Sequence, residues 1–185
     1  MLAELRRKKI LPPENRTDWN KRIFQSETGE LTLDMQKQKM TVAAPRLEGA
    51  ILKQGQTAEL PVLRVGRLSV PASVAAASLK MDETLKDASR ILLIVSTNAF
   101  NTDMTFEDET LFCCVNPGEL PVLVESVKGD ITLKTTRQHA PKVYALHLDG
   151  IRFAEIPVLF QDGTLSIPLD TSTLEYGTPF FEVIY

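Results

Sequence analysis

Short apolar and alternating segments recur from residue 26 to the end of the chain, separated by turn-forming Gly, Pro, Asn and Asp residues. Alternation of apolar and polar residues is typical of a β-strand that buries one face. It occurs in residues 30–34 and 39–43, which a short turn joins into a predicted hairpin, and again in residues 143–148. We therefore predict an all-β fold, an antiparallel β-sandwich of about a dozen short strands.

Other segments add detail to this prediction. The unbroken apolar run at residues 91–95 indicates a strand buried on both faces. The Asp-Gly pairs at 149–150 and 162–163 each separate two apolar segments and predict hairpin turns, because Gly adopts a positive φ without strain. The alanine-rich residues 72–77 are compatible with a helix or a strand, and residues 81–89 with a single helical turn.

The beginning of the chain has a different character. Residues 1–9 predict a short helix that Pro12 and Pro13 end, and a polar stretch follows. We interpret residues 1–25 as an N-terminal arm or linker and residues 26–185 as the β-sandwich domain. The sequence predicts no signal peptide, and no apolar run approaches the roughly 20 residues that a membrane span needs. Its compartment is left unassigned.

Length and charge limit the classes of function. The 185 residues suit one domain, which can bury roughly 70% of its unfolded surface without a disulfide or metal to stabilise it. The formal net charge of −3 predicts no basic face. We therefore expect no nucleic acid as partner, and the lack of an apolar run of spanning length predicts no membrane either.

The motifs show no catalytic constellation. The sequence has no nucleophile elbow and no glycine-rich phosphate loop. The acidic residues 103–109 are typical of a solvated loop, with calcium binding as an alternative. We predict no catalytic residue, no metal and no cofactor, because the two histidines and the adjacent Cys113 and Cys114 are too few ligands for a metal centre. Neighbours on a strand point to opposite faces, so one cysteine is expected inside and the other on the second surface.

Aromatic side chains are the remaining candidates for ligand contact. Sugar binding by a β-sandwich relies on exposed rings that offer a flat apolar face. Trp19 is the one ring in a polar context, and we take it as a candidate carbohydrate contact. The alternative is that Trp19 seats the N-terminal arm. Phe180, Phe181 and Tyr185 are expected in the core of the closing strand.

Several short motifs follow one another in order between residues 26 and 185. They are S-E-T-G-E-L-T-L-D from Ser26, K-M-T-V from Lys39, A-P-R from Ala44, S-R-I-L-L from Ser89, P-V-L-V-E from Pro121, K-V-Y-A-L from Lys142 and Y-G-T-P-F from Tyr176. In type and order they resemble the C-terminal β-sandwich region of cellulase-like proteins, which follows a TIM-barrel glycoside hydrolase domain. The chain departs from that pattern at Ala43-Ala44 for Asp-Thr, at Leu47-Glu48 for Thr-Gln and at His147 for Asp.

The resemblance implies an accessory domain and not an enzyme. In cellulase-like proteins the catalytic carboxylates belong to the barrel, which would precede residue 26. The resemblance therefore implies a β-sandwich that packs on a catalytic barrel or binds carbohydrate weakly. A free-standing binding or oligomerisation module is the alternative, and a small enzyme of unrecognised chemistry is a third hypothesis.

Overall fold

The structure, a computed structural model, describes residues 2–185 and confirms an all-β, sandwich-like fold. A short N-terminal helix, α1 (Leu2–Arg7), precedes the strands. The strands are β1 (Ile23–Gln25), β2 (Leu31–Asp34), β3 (Lys39–Ala44), β4 (Leu47–Leu52), β5 (Ala58–Glu59), β6 (Leu63–Val65), β7 (Ala72–Ser78), β8 (Arg90–Ser96), β9 (Ala99–Thr102), β10 (Thr105–Phe106), β11 (Cys114–Asn116), β12 (Glu119–Val124), β13 (Lys128–Lys134), β14 (Lys142–Leu146), β15 (Arg152–Ile156), β16 (Leu159–Gln161), β17 (Thr164–Asp170) and β18 (Phe180–Ile184). Several have only two or three residues, so the described chain divides into more strands than the predicted dozen.

Most strands belong to two antiparallel sheets. The nine-stranded sheet has the order β1-β2-β3-β4-β7-β8-β18-β14-β15, and the five-stranded sheet has the order β16-β17-β13-β6-β5. The core lies between them, where Leu93 and Phe181 of the larger sheet and Leu63, Ile131 and Leu165 of the smaller one are fully buried. Burying a side chain of this size stabilises the fold by about 1.5–3 kcal/mol, so this layer holds the two sheets together.

One buried carboxylate also joins the two sheets. Glu48 on β4 points into the space between them and is 3% exposed. It accepts hydrogen bonds from the backbone N–H groups of Val62 (2.9 Å) and Leu63 (2.7 Å). Because burying an unpaired carboxylate is strongly unfavourable, these two donors are what allow Glu48 to lie inside.

The local predictions are largely confirmed. The alternation at residues 30–43 forms the hairpin β2–β3, and the alanine-rich segment forms the strand β7. The second Asp-Gly pair closes the hairpin β16–β17, with φ of 49° at Asp162 and 70° at Gly163, the left-handed values that this type of turn requires. Residues 81–89 form turns and bends.

The structure corrects the prediction for residues 91–95. They lie in β8, whose core face buries Ile91, Leu93 and Val95 as expected. The side chains of Leu92 and Ile94 point to the other face of the sheet and are only half-buried. The second face of this apolar strand therefore has no covering layer among residues 2–185.

A hairpin at residues 99–124 lies outside both sheets. Its base is the pair β9–β12, and its distal part is the pair β10–β11. Cys113 and Cys114 lie in the distal part, and both are exposed. The prediction that one cysteine would be buried is therefore wrong, because a two-stranded ribbon outside the sandwich has no second layer to cover either face.

The N-terminal arm runs along the outer edge of β1. Asn15 is buried, its amide donates to the carbonyl of Ser26 (2.8 Å), and its Oδ1 accepts from the N–H of Thr17 (3.1 Å). The Thr17 hydroxyl in turn bonds both backbone groups of Gln25, and Asp18 pairs with Ile23. These contacts cover most of the edge that β1 would otherwise present.

Candidate functional site

The outward face of the nine-stranded sheet is apolar over much of its width. Residues paired directly across antiparallel strands share a face, so the strand register fixes which side chains lie side by side. One continuous outward row crosses six strands: Leu31, Val42, Gly49, Ala75, Ile94 and Phe180. The row on one side contains Phe24, Leu33, Met40 and Ile51, and the row on the other side contains Ala44, Leu47, Ala77 and Leu92. We call these three rows the apolar face.

In β2 and β3 the apolar side faces outward and the polar side faces the core, which is the reverse of an ordinary sandwich strand. Thr41 pairs with the buried Ala50, so Thr41 and its neighbour Thr32 lie on the side of the sheet that faces the core. Leu33 and Met40 lie on the outward side and are 39% and 37% exposed. An alternating strand normally buries its apolar side, so this arrangement leaves the apolar side without a cover from residues 2–185.

A shallow depression lies at the centre of the apolar face. It has a volume of about 180 Å³. Gly49 and Ala75 form its floor, and Met40, Val42 and Ile51 form its walls. A Cβ atom at Gly49 would lie 2.9 Å from the backbone oxygen of Val74 and 3.0 Å from the Cβ of Ala75. The absence of a side chain at Gly49 therefore both permits close packing of β4 on β7 and creates the depression.

The opposite surface of the molecule is polar, which is the usual condition of a solvated sheet face. Across the three central strands of the five-stranded sheet, the outward row consists of Arg64, Thr132 and Ser166. Where β13 begins and β17 ends, Lys128 forms an ion pair with Asp170 (2.9 Å) on the same face. The outward face of the nine-stranded sheet is thus more apolar than the central strands of the five-stranded sheet. Exposed apolar side chains also occur elsewhere, at Leu159 on the edge strand β16 and at Phe112 and Leu120 on the hairpin at residues 99–124.

A charged cluster borders the apolar face at β18. Glu182 pairs with Leu92 in the outward row and is 2% exposed, because Arg90 on the neighbouring strand β8 and Arg152 on β15, the strand beyond β14, both cover it. The Nε of Arg152 donates to the Glu182 carboxylate (2.7 Å), and its guanidinium lies 4.6 Å from the ring centre of Tyr144. Burial favours a raised pKa at Glu182, but the two arginines outweigh it and hold the pKa below its ordinary value.

Trp19 lies at the margin of the apolar face and is 54% exposed. Its ring packs edge-on against Phe24, with ring centres 5.2 Å apart. The other side of Trp19 borders a polar depression of about 390 Å³, which Asn15, Asp18 and Asn20 also line. This position is compatible both with carbohydrate contact and with seating of the arm, so the role of Trp19 stays a prediction.

The other aromatic candidates are distributed between the core and the surface. Phe181 is fully buried, as expected, whereas Phe180 lies outward in the apolar face. His147 lies between Phe153 and Tyr176, with ring centres 4.6 and 4.9 Å away. This small stack explains the position of His147 by packing.

The metal and calcium predictions concern the acidic and metal-ligating side chains. Over residues 2–185, no group of three or more His, Cys, Asp or Glu side chains is arranged to hold a metal ion. The acidic residues 103–109 lie on the hairpin outside the two sheets. There the carboxylate of Asp108 accepts hydrogen bonds from the backbone N–H and the hydroxyl of Thr110. No helix in this part of the chain combines the length and the apolar character of a membrane span.

Comparisons of the chain with family models, with curated proteins and with solved structures find no match. The resemblance to cellulase-like proteins therefore stays a prediction, and the apolar face is the structural feature that bears on function. The sequence motifs alone did not indicate this surface. The signal that points to it is the apolar alternation in β2 and β3, combined with the strand register that turns it outward.

Proposed function

We propose that this chain is a non-catalytic accessory β-sandwich domain of a carbohydrate-active, glycoside hydrolase-like protein, and that its apolar face packs on the catalytic barrel. The observation that carries the proposal is the outward orientation of the apolar side chains of β2, β3 and β4. Contiguous apolar surface that a single chain leaves uncovered marks an interaction site. The resemblance to cellulase-like proteins supplies the kind of partner.

The dimensions of the apolar face suit a protein partner. Five strand spacings of about 4.8 Å and two row spacings of about 6.6 Å give a footprint on the order of 24 by 13 Å between atom centres. A standard interface buries about 800 Å² on each partner, so contact would extend beyond the apolar rows onto a polar rim. Glu182 with Arg90 and Arg152 lies at the position of such a rim.

The chemistry of the apolar face disfavours a sugar as its occupant. Its centre is formed by aliphatic side chains and glycine, namely Val42, Gly49, Ile51, Ala75 and Ile94. A sugar ring needs hydrogen-bond partners around its edge as well as an apolar platform, and this surface offers few. A complementary apolar protein surface needs none at its centre, which supports the barrel as partner.

The experiment is co-expression of this chain with the glycoside hydrolase barrel encoded in the same reading frame or gene neighbourhood. Association is measured by size-exclusion chromatography with light scattering and by titration calorimetry. Ile51→Lys and Met40→Lys place a charge in the apolar face, and we expect each to weaken the complex at least tenfold. Thr132→Lys, on the solvated face of the other sheet, is the matched control and should bind as the wild type does.

Two results would contradict the proposal. One is the absence of any such barrel from the reading frame and its neighbourhood. The other is self-association of the chain without a barrel, abolished by Ile51→Lys and retained by Thr132→Lys. The second result would instead support the alternative function, an oligomerisation module that uses the same face.

A further inference from the structure

The hairpin at residues 99–124 exposes much of its apolar surface. Six of its apolar side chains are 45% exposed or more, namely Leu111, Phe112, Val115, Leu120, Val122 and Leu123. Apolar side chains that are exposed together in one element mark an interaction site. We propose that this hairpin docks on the N-terminal arm of a second copy of this chain. The inference is independent of the docking proposed for the apolar face.

The hairpin is acidic. It contains five Asp and Glu residues and no Lys or Arg, whereas the whole chain has a formal net charge of only −3. Asp103, Glu107, Glu109 and Glu119 are exposed, and within residues 2–185 their carboxylates accept no hydrogen bond and form no ion pair. A partner that covers the apolar side chains also has to neutralise these charges, so the partner surface is basic.

The N-terminal arm has the opposite charge. Residues 1–25 contain seven Lys and Arg residues against three Asp and Glu residues, so their net charge is +4. Arg6, Lys9, Arg16 and Arg22 are exposed, and within residues 2–185 none of them pairs with a carboxylate. Four exposed cations of the arm therefore match the four uncompensated carboxylates of the hairpin.

A second copy, and not the same molecule, supplies the basic surface. The hairpin follows β8 and the arm runs along β1, and these two strands are five spacings of about 4.8 Å apart in the nine-stranded sheet. Within residues 2–185, no hydrogen bond or ion pair joins the hairpin to the arm. Contact between two hairpins would instead bring two groups of five negative charges together, which is unfavourable.

The arm has a depression that accepts an apolar side chain. The depression of about 390 Å³ beside Trp19 is also lined by Leu2, Arg6 and Arg16. An aromatic ring suits this lining, because it packs against another ring and attracts a guanidinium group over its face. Phe112, which is 93% exposed, is therefore the hairpin side chain that enters the depression.

Glu107 lies close to Phe112 at the distal end of the hairpin. Its backbone N–H donates to the carbonyl of Cys113 (2.9 Å), the residue next to Phe112. Exposed ion pairs add little affinity, but they orient two partners and disfavour wrong ones. An aromatic side chain at the centre of an interface commonly provides much of its affinity. Phe112 thus holds the two copies together, and the charges select the arm as its binding site.

Light scattering of the full chain tests for the association. The mass is measured by size-exclusion chromatography with light scattering and by sedimentation velocity, from low micromolar to millimolar concentration. We expect reversible association in low salt. The dissociation constant should rise at least tenfold in about 1 M salt, where the screening length falls to about 3 Å.

Reversal of charge identifies the two surfaces in contact. The hairpin variant carries Glu107→Lys and Glu109→Lys, and the arm variant carries Lys9→Glu and Arg16→Glu. Each variant alone should associate at least tenfold more weakly than the wild type, because like charges then face each other. An equimolar mixture should associate about as tightly as the wild type, because the acidic hairpin of the arm variant meets the basic arm of the hairpin variant.

Matched controls change other exposed positions. Asp82→Lys combined with Asp130→Lys changes the net charge as the hairpin variant does, away from both surfaces, and should associate as the wild type does. Phe112→Ser should weaken the association at least tenfold. Leu159→Ser, at an apolar side chain that is 72% exposed, and Ile51→Lys, on the apolar face, should leave it unchanged. Far-ultraviolet circular dichroism checks that each variant is folded.

A strict monomer at every concentration in low salt would overturn the inference, and so would a mixture of the two reversed variants that associates no better than either alone. A monomeric chain whose hairpin binds oligolysine would assign the hairpin to a basic partner of another kind and overturn it as well. Association that Ile51→Lys abolishes and Phe112→Ser retains would place the contact on the apolar face. Of these results only the last bears on the proposed function, so the two proposals fail separately.

Discussion

The carboxylate of Glu48 on the nine-stranded sheet accepts a 2.7 Å hydrogen bond from the backbone N–H of Leu63 on the five-stranded sheet. Strands β4 and β6 come from different sheets, and no strand pairing joins them. The bond, together with a second one from Val62, is therefore a polar link across an otherwise apolar core. These two hydrogen bonds fix the relative position of the two sheets near Glu48.

Removal of the Glu48 carboxylate should destabilise the fold. Glu48→Ala leaves two buried N–H groups without an acceptor, and each such group costs about 1–3 kcal/mol. We expect a loss of about 2–4 kcal/mol in the free energy of unfolding, measured by urea denaturation. Glu48→Gln keeps one acceptor oxygen and should lose less. Glu109→Ala, on the exposed hairpin, is the control, and a Glu48→Ala variant as stable as this control would contradict the role assigned to Glu48.

A side chain at Gly49 should destabilise the nine-stranded sheet. The Cβ of Gly49→Ala would meet the backbone oxygen of Val74 at 2.9 Å, and a backbone atom yields less readily than a flexible side chain. Overpacking of this kind costs about 1–3 kcal/mol, which would appear as a lower midpoint in urea or thermal unfolding. Ser73→Ala, in the next outward row, adds no such contact and should unfold as the wild type does.

Stability should fall in acid partly because of Glu182. Arg90 and Arg152 hold its pKa below the ordinary value of 4.5, whereas in the unfolded chain Glu182 titrates near that value. Its contribution to stability is therefore complete above about pH 4.5 and is lost as the pH falls through the lowered pKa. Unfolding free energies of wild type and Glu182→Gln, measured from pH 7 to pH 3, should differ at neutral pH and converge in acid.

The unfolding free energy of Glu182→Gln should still depend on pH, because other carboxylates contribute. A hydrogen bond from Ser89 lowers the pKa of Glu83, and one from Ser172 lowers the pKa of Asp170. Glu155→Gln, on strand β15 at the edge of the same sheet, is the control and should retain the wild-type dependence below pH 4.5. A constant difference between wild type and Glu182→Gln at every pH would show that the ion pairs do not cause the effect.

Both cysteines should react in the native protein. Cys113 and Cys114 lie on the hairpin outside the sandwich and are exposed, so a thiol reagent such as DTNB needs no unfolding to reach them. We expect both thiols to react at similar total yield in buffer and in 6 M guanidinium chloride. A native yield of about one thiol would support the original expectation that one cysteine is buried.

The sequence predicts the strands well but not which of their faces meets the core. Leu31 and Leu33 alternate with Thr32 and Asp34, which correctly indicates a strand with one apolar side. Alternation carries no information about which side a second sheet will cover, because that depends on pairings between distant segments. The same limit applies to β8, where an unbroken apolar run suggested cover on both faces.

Local propensity was also a limited guide at β7. Alanine favours helices, yet residues 72–78 form a strand between β4 and β8. Burial of Ala72, Val74 and Ala76 on one side overrides the intrinsic preference. The depression that Arg16, Thr41 and Glu59 line depends still more on long-range structure, because these residues are far apart in the sequence and nothing in it brings them together.

The buried Asn15 has a practical consequence for producing this protein. A recombinant piece begun at residue 26, where the motif pattern starts, would lack both β1 and the arm that Asn15 fastens to it. Strand β2 would then become the edge of the sheet, with unpaired backbone groups beside the exposed Leu31 and Leu33. An open apolar edge of this kind recruits other chains into aggregates. Expression boundaries are therefore best placed ahead of Asn15.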